Sequence, residues 1–181
     1  MKPKILFILH LPPPIHGAAM MGKYIQESEL VNSSFDCFCI NLATAGSLSD
    51  IGHISLKKLL KYFFLLKHIS HVVREIRPEL VYITPNAGGK AFFKDFIVVQ
   101  MLKSMGCKVI AHYHNKGVSV YQSKWVYNFF YKRFFSNLKV ILLAENLYKD
   151  IAKYVKREDV YICPNGIPLS LIHISEPTRP Y

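Results

Sequence analysis

The chain has 181 residues, enough for one domain with a sizeable core and too few for two full ones. Its 51% hydrophobic and 19% charged residues exclude a disordered chain. With 23 Lys and Arg against 12 Asp and Glu, the formal charge of +11 suits anionic partners such as nucleic acid, phosphorylated substrates or an acidic membrane face.

The chain opens "MKPKILFIL", a basic start whose apolar run is short and ends at His10 and Pro12. It reads as a first strand rather than a signal peptide, and no apolar run reaches the roughly 18 to 20 residues that cross a bilayer. The stretch "LHLPPPIHGAAMMGKYI" (9–25) follows, stiffened by prolines, with a helix-like pattern starting at Gly17. Further apolar runs stand at 35–42, 80–84, 107–114, 139–144 and 159–163, several apolar almost throughout, as parallel strands covered on both faces require. Between 42 and 80 the stripe Leu56, Leu59, Phe63, Leu66, Ile69, Val73 and Ile76 predicts a core-facing helix, capped by Ser55 and stopped by Pro78. A second helix runs from about Lys90 to Met105 and ends at Gly106. Repeated βα order predicts an α/β fold, an open, doubly wound, Rossmann-like parallel sheet.

In such sheets ligands bind outside the carboxyl ends of the strands, near the point where strand order reverses. Gly17 there lets backbone approach a ligand, and the helix that follows offers unpaired N–H groups; a proline-stiffened loop needing one permissive residue is the plain structural alternative. No G-x-G-x-x-G is present, which weighs against a dinucleotide site. "NAGGK" (86–90) is no P-loop, because that spacing needs glycine at Thr84 and Ser or Thr at Ala91. Cys37, Cys39, Cys107 and Cys163 form no C-x-x-C pair, so neither zinc nor any other metal is expected. They read as reduced, mostly buried residues of a cytoplasmic protein.

The ordered set "PPPIHGAAMMGKYI", "LVYITPN", "KVIAHYHNKG", "KVILLAENLYKDI" and "DVYICPNGIP" resembles the N-terminal half of retaining GT-B glycosyltransferases of family 4, over residues 2–168. The resemblance implies two Rossmann-like domains facing across a cleft. The N-terminal one holds mainly the acceptor, and the C-terminal one the nucleotide-sugar donor, with no further cofactor. Carried onto this chain, it makes Gly17 border the donor's phosphate and sugar and places His114 at the cleft as the candidate catalytic histidine. His16, Asn86 and His112 become acceptor-side candidates, with His112 on the same strand face as His114 but deeper. The "PNGIP" segment (164–168) would lead into the linker, and the paired-glutamate motif and basic donor-binding residues would lie in a second domain.

Residues 169–181, "LSLIHISEPTRPY", fit no element of that family. The run from Leu169 to Arg179 resembles the translated end of a transposase-type sequencing-library adapter, so the expected domain is 1–168, followed by a foreign tail. As given, the fragment is expected to be inactive.

Two segments carry the charge. "SLKKLLKYFFLLKHISHVVREIR" (55–77) combines an apolar stripe with Lys57, Lys58, Lys61, Lys67, Arg74 and Arg77, and "YQSKWVYNFFYKRFF" (121–135) holds eight aromatic residues. Basic amphipathic helices with Phe and Trp can lie on an anionic bilayer; core packing of the aromatics is the alternative, weaker for the second segment, where eight rings exceed one helix face. No nucleic-acid-binding motif is present, so nucleic acid is not expected as a partner. The expectation is the acceptor-side part of a cytoplasmic, bacterial-type glycosyltransferase, peripheral at the inner face of the membrane. It would transfer a sugar from a nucleotide-sugar to a lipid-linked or polysaccharide acceptor with retention. The alternatives are a non-catalytic basic membrane-binding module and another nucleotide-binding Rossmann enzyme.

Overall fold

The computed structural model describes residues 2–13, 15–42 and 56–166; the side chains of Lys57 and Lys58 fall outside that description. Ser55, Pro168 and the 169–181 tail lie outside the described residues.

Strands β1 (Lys4–Leu9), β2 (Asp36–Asn41), β3 (Leu80–Ile83), β4 (Val109–Tyr113), β5 (Lys139–Leu142) and β6 (Val160–Ile162) form one sheet in the order β2-β1-β3-β4-β5-β6. Every pairing is parallel. The helices are α1 (Gly17–Glu27), α2 (Glu29–Ser34), α3 (Leu56–Ile76), α4 (Gly89–Ser104), α5 (Val118–Tyr121), α6 (Trp125–Phe135) and α7 (Tyr148–Ile151). This is the Rossmann-like α/β fold that the alternating pattern predicts.

The connection from β1 to β2 runs one way along the sheet and every later one runs the other way. Parallel crossovers are right-handed, so α1 lies on one face and α3, α4 and α6 on the opposite face. Side-chain alternation agrees. Leu6, Ile8, Val81, Ile83, Ala111, Tyr113, Val140 and Leu142 join the large core with the second group of helices. Ile5, Phe7, Leu9 and Tyr82 form a smaller cluster on the α1 side.

Element ends follow local chemistry. After α4, Gly106 at φ +78° lets its N–H reach Lys103 O at 3.0 Å, while Cys107 N–H reaches Leu102 O at 3.0 Å. That is the double closure a left-handed residue permits, and it shortens the expected 107–114 strand to begin at Val109. Pro78 stops α3 as expected, with Arg77 taking the turn at φ 49°.

Three sequence expectations need correction. The stripe assigned to the core holds only in its second half. Ile69 and Val73 are buried, but Leu56, Leu59 and Phe63 are exposed, because at 3.6 residues per turn the three-or-four step drifts around the helix and leaves these three on a different face from the one on which Tyr62, Ile69 and Val73 pack. The aromatics of 121–135 go largely into the core. Tyr131, Phe134 and Phe135 are buried, and Tyr121, Tyr127 and Phe130 pack partly against them. Phe92 of α4 is the centre, with its ring 4.6 Å from Tyr131 and 5.5 Å from Phe134. One helix face could not hold them all, but α6 packs on α4 and the sheet together, and only Trp125 and Phe129 stay exposed. The cysteines are also less buried than expected. Cys39 and Cys163 are exposed, because β2 and β6 are the sheet edges.

Candidate functional site: a histidine cluster at the carboxyl edge of the sheet

Strand order reverses between β1 and β3, so the loops after these strands diverge and leave a crevice at their carboxyl ends. Four imidazoles from three segments meet there. His10 follows β1, His16 opens α1, and His112 and His114 come from the end of β4.

The β1 loop is held on both sides. Its His10 N–H donates to Thr84 Oγ1 at 3.3 Å, and Leu11 N–H donates to Asn41 Oδ1 at 3.2 Å. The loop contains a cis peptide between Pro12 and Pro13. His16 is the N-cap of α1: its Nδ1 accepts from Ala19 N–H at 3.3 Å, so its outward Nε2 carries the proton. The amides of Gly17 and Ala18 precede the first intrahelical bond and form the positive end of the helix dipole.

Gly17 is exposed, and a β-carbon built there meets nothing within 4 Å among the described residues. Its φ is not positive, so backbone strain is not what places a glycine here. The glycine that the fold does require is Gly22, five residues further along α1. A β-carbon there would sit 2.3 Å from the His10 carbonyl oxygen, so α1 lies directly against the loop after β1.

His112 and His114 share a strand face as alternation predicts, with ring centroids 4.2 Å apart. His112 is 5% exposed, and the Tyr82 hydroxyl makes a short hydrogen bond to its Nδ1. With Tyr82 as donor, the proton of His112 sits on Nε2, and among the described residues neither that nitrogen nor either nitrogen of His114 closes a hydrogen bond. Asn165 and the Cys163 backbone approach His114 and His112 respectively without completing one. Burial and the neighbouring His114 push His112 down to about 3. Burial, His16, Lys94 and His114 push His10 down to about 4, and burial lowers His114. At neutral pH these three rings are uncharged, so they serve as hydrogen-bond donors and acceptors rather than cations.

Asn86 also lies in the crevice, after β3, but its amide is committed. Its backbone N–H and its Nδ2 each donate to Asp95 Oδ2 at 2.8 Å. Asp95 is buried, and desolvation raises it to about 6 against the pull of Asn86. Beyond β4, Asp150 accepts from Gly117, Val118 and Ser119 N–H at 2.8, 3.0 and 3.0 Å and from Ser119 Oγ at 2.5 Å. Burial raises it, yet these bonds outweigh burial and hold it below its usual range, fixing the loop that carries Asn115.

The sequence expectations named His16, Gly17, Asn86, His112 and His114, and the fold brings all five to one edge. They missed His10 and Tyr82. A histidine directly after the first strand was the available signal for His10, whereas Tyr82 required the β3–β4 pairing that sets Tyr82 opposite Ile110. Among the described residues no group of three His, Cys, Asp or Glu is placed to hold a metal ion. A shallow depression of about 410 Å³ lined by Lys2, Lys4, Asn32 and Asp36 lies at the opposite end of β1 and β2, away from these side chains. No protein-family model matches the chain, and no curated protein or solved structure matches it.

The histidines give the fold a signed pH dependence. A histidine whose folded value lies below its unfolded one contributes fully above about pH 6.5 and loses that contribution as pH falls toward its folded value. His10 and His112 act this way between about 6.5 and 4 and lowered His114 acts in the same direction, while Asp95, raised to about 6, acts oppositely over part of the window. Three groups outweigh one, so the melting temperature should drop as pH is lowered from 6.5 to 4. Thermal scans across that range check it, and the slope should flatten in a His10→Gln/His112→Gln variant.

Proposed function

We propose that this chain is the acceptor-side domain of a retaining glycosyltransferase built from two facing Rossmann-like domains. The complete enzyme would transfer a sugar from a nucleotide-sugar donor to a lipid-linked or saccharide acceptor in cell-envelope polysaccharide synthesis. The observation that carries the reading is the meeting, at the strand-order reversal, of uncharged buried imidazoles with unsatisfied nitrogens and the open space beside Gly17. Neutral imidazoles suit sugar hydroxyls: each can donate to one and accept from another without the desolvation cost of a charge. The amides at the start of α1 suit the donor's phosphates, where a side chain on Gly17 would intrude. His114 is assigned to the reacting sugar, His112 and His16 to acceptor hydroxyls, and Asn86 to the acceptor border through its remaining Oδ1.

The α1 side of β4–β6 supports a second domain. Ile110 and Ile141 are only partly buried there, Tyr161 is exposed, and no helix among the described residues covers them. In this reading the natural frame continues past Pro168 into an α/β domain with a paired-glutamate motif, and "LSLIHISEPTRPY" is foreign. Resequencing the locus by an independent library method should show that continuation; the same thirteen residues in genomic DNA would refute it.

The continued product should be stabilised by one member of a nucleotide-sugar panel. A bound ligand at a hundredfold excess over its dissociation constant adds about 2.7 kcal/mol, readily seen as a rise in melting temperature. No shift with any member would count against the reading.

A further inference from the structure

The first half of α3 is built to face something other than water. Leu56, Leu59, Leu60, Phe63 and Phe64 are each more than half exposed. Single exposed apolar side chains are ordinary, but five within nine residues of one helix are not. At 3.6 residues per turn they share an arc of about 140°. The opposite side of the helix is already engaged: Tyr62 Oη donates to Lys94 O of α4 at 2.6 Å, and Ile69 and Val73 are buried. The exposed arc is therefore a second apolar face.

Charge identifies the occupant. From Leu56 to Arg74 the helix carries Lys57, Lys58, Lys61, Lys67 and Arg74 and no acidic residue. Lys57 and Lys61 occupy positions beside the apolar arc, and Lys67 falls within it. The next helices of the layer continue the theme. Ile97 of α4 is exposed, as are Trp125 and Phe129 of α6, where the Arg133 guanidinium lies 4.9 Å over the Phe129 ring. A second copy of the chain would set lysines against lysines at +11 per molecule, which disfavours self-association. An anionic bilayer answers both features: acyl chains take the leucines and phenylalanines, and acidic headgroups take the lysines.

We infer that the first three turns of α3 form an interfacial binding face for anionic lipid, lying in the membrane surface without crossing it. Among the described residues no helix is long and apolar enough to span a bilayer. The inference is independent of the transferase reading, since vesicle binding and sugar transfer are separate measurements.

The 181-residue chain should float with vesicles made of equal parts phosphatidylglycerol and phosphatidylcholine, and binding should weaken as salt rises. Phosphatidylcholine alone should bind far less. Phe63→Ser/Phe64→Ser should weaken binding at least about tenfold, as the loss of two inserted rings requires, with no change in circular dichroism or melting temperature. Lys57→Glu/Lys61→Glu should reduce the anionic preference. The chain has one tryptophan, so Phe63→Trp in a Trp125→Phe background gives a single reporter on α3 whose emission should shift to the blue on the vesicles. Equal binding to both vesicle types, unshifted emission at position 63, or full binding by the double serine variant would overturn the inference. So would a stable dimer that buries residue 63 and does not bind vesicles.

Discussion

Replacing His114 by alanine in the continued gene product is expected to lower sugar transfer by roughly 10²–10³ with the melting temperature unchanged, the effect of deleting one preorganised donor to a developing charge. The two halves of that expectation rest on the same observation. Among the described residues neither ring nitrogen of His114 closes a hydrogen bond, with Asn165 the one side chain that approaches it, so removing the ring costs the fold little hydrogen bonding. A ring held against His112 at 4.2 Å with its nitrogens uncommitted among the described residues can serve a ligand. His112 should behave differently. Its Nδ1 is engaged by the buried Tyr82 hydroxyl, so His112→Ala leaves that hydroxyl without its partner and should cost about 1–3 kcal/mol of stability as well as activity. Tyr82→Phe separates the two effects, removing only the group that fixes the His112 tautomer. Steady-state kinetics beside thermal melts decide between them. Full activity of His114→Ala would remove that ring from the site.

The second large effect contrasts two glycines five residues apart on α1. Gly22→Ala drives a β-carbon to within 2.3 Å of the His10 carbonyl oxygen, a backbone atom that cannot turn aside. Overpacking of this kind costs about 1–3 kcal/mol, and Gly22→Val should cost more. Because the displaced atom belongs to the loop bearing His10, activity should fall with stability. Gly17→Val meets open space and needs no unusual backbone angle, so stability should hold while turnover collapses, the added side chain filling the room assigned to the donor phosphates. Chemical denaturation of both variants checks the contrast. A Gly17→Val protein that unfolds would return that residue to a purely structural role.

The fold was legible because parallel strands buried on both faces are apolar almost throughout, as several of the runs are, and all six runs contain a strand. The ends were less legible: Cys107 is apolar, but it is consumed in closing α4, and the ladder starts two residues later. Amphipathic spacing in α3 showed a helix without showing what each part faces, since a three-or-four step kept from Leu56 to Ile69 drifts well around the helix and carries the stripe from an exposed face to the buried one. The aromatic run 121–135 misled in the opposite sense. Eight rings exceed one helix face, but α6 sits in a corner where more than one face is buried. At the site, histidines at strand ends were visible in the sequence. The Tyr82–His112 pair and the closeness of Gly22 to His10 arise from tertiary packing and leave no local trace. At Gly17 the backbone is unstrained, and the open space beside it is what distinguishes the position.

The central claim is that this domain forms half of a sugar-transfer site. Its most direct test is an assay of the gene product encoded by the resequenced locus against labelled nucleotide-sugars, with membrane lipid extract as acceptor source and residues 1–168 run in parallel. Transfer of label by the continued product with the anomeric configuration retained, none by 1–168 alone, and loss of transfer in His114→Ala are the expected results. Transfer by 1–168, or none by a stable continued product with any donor, would contradict that claim.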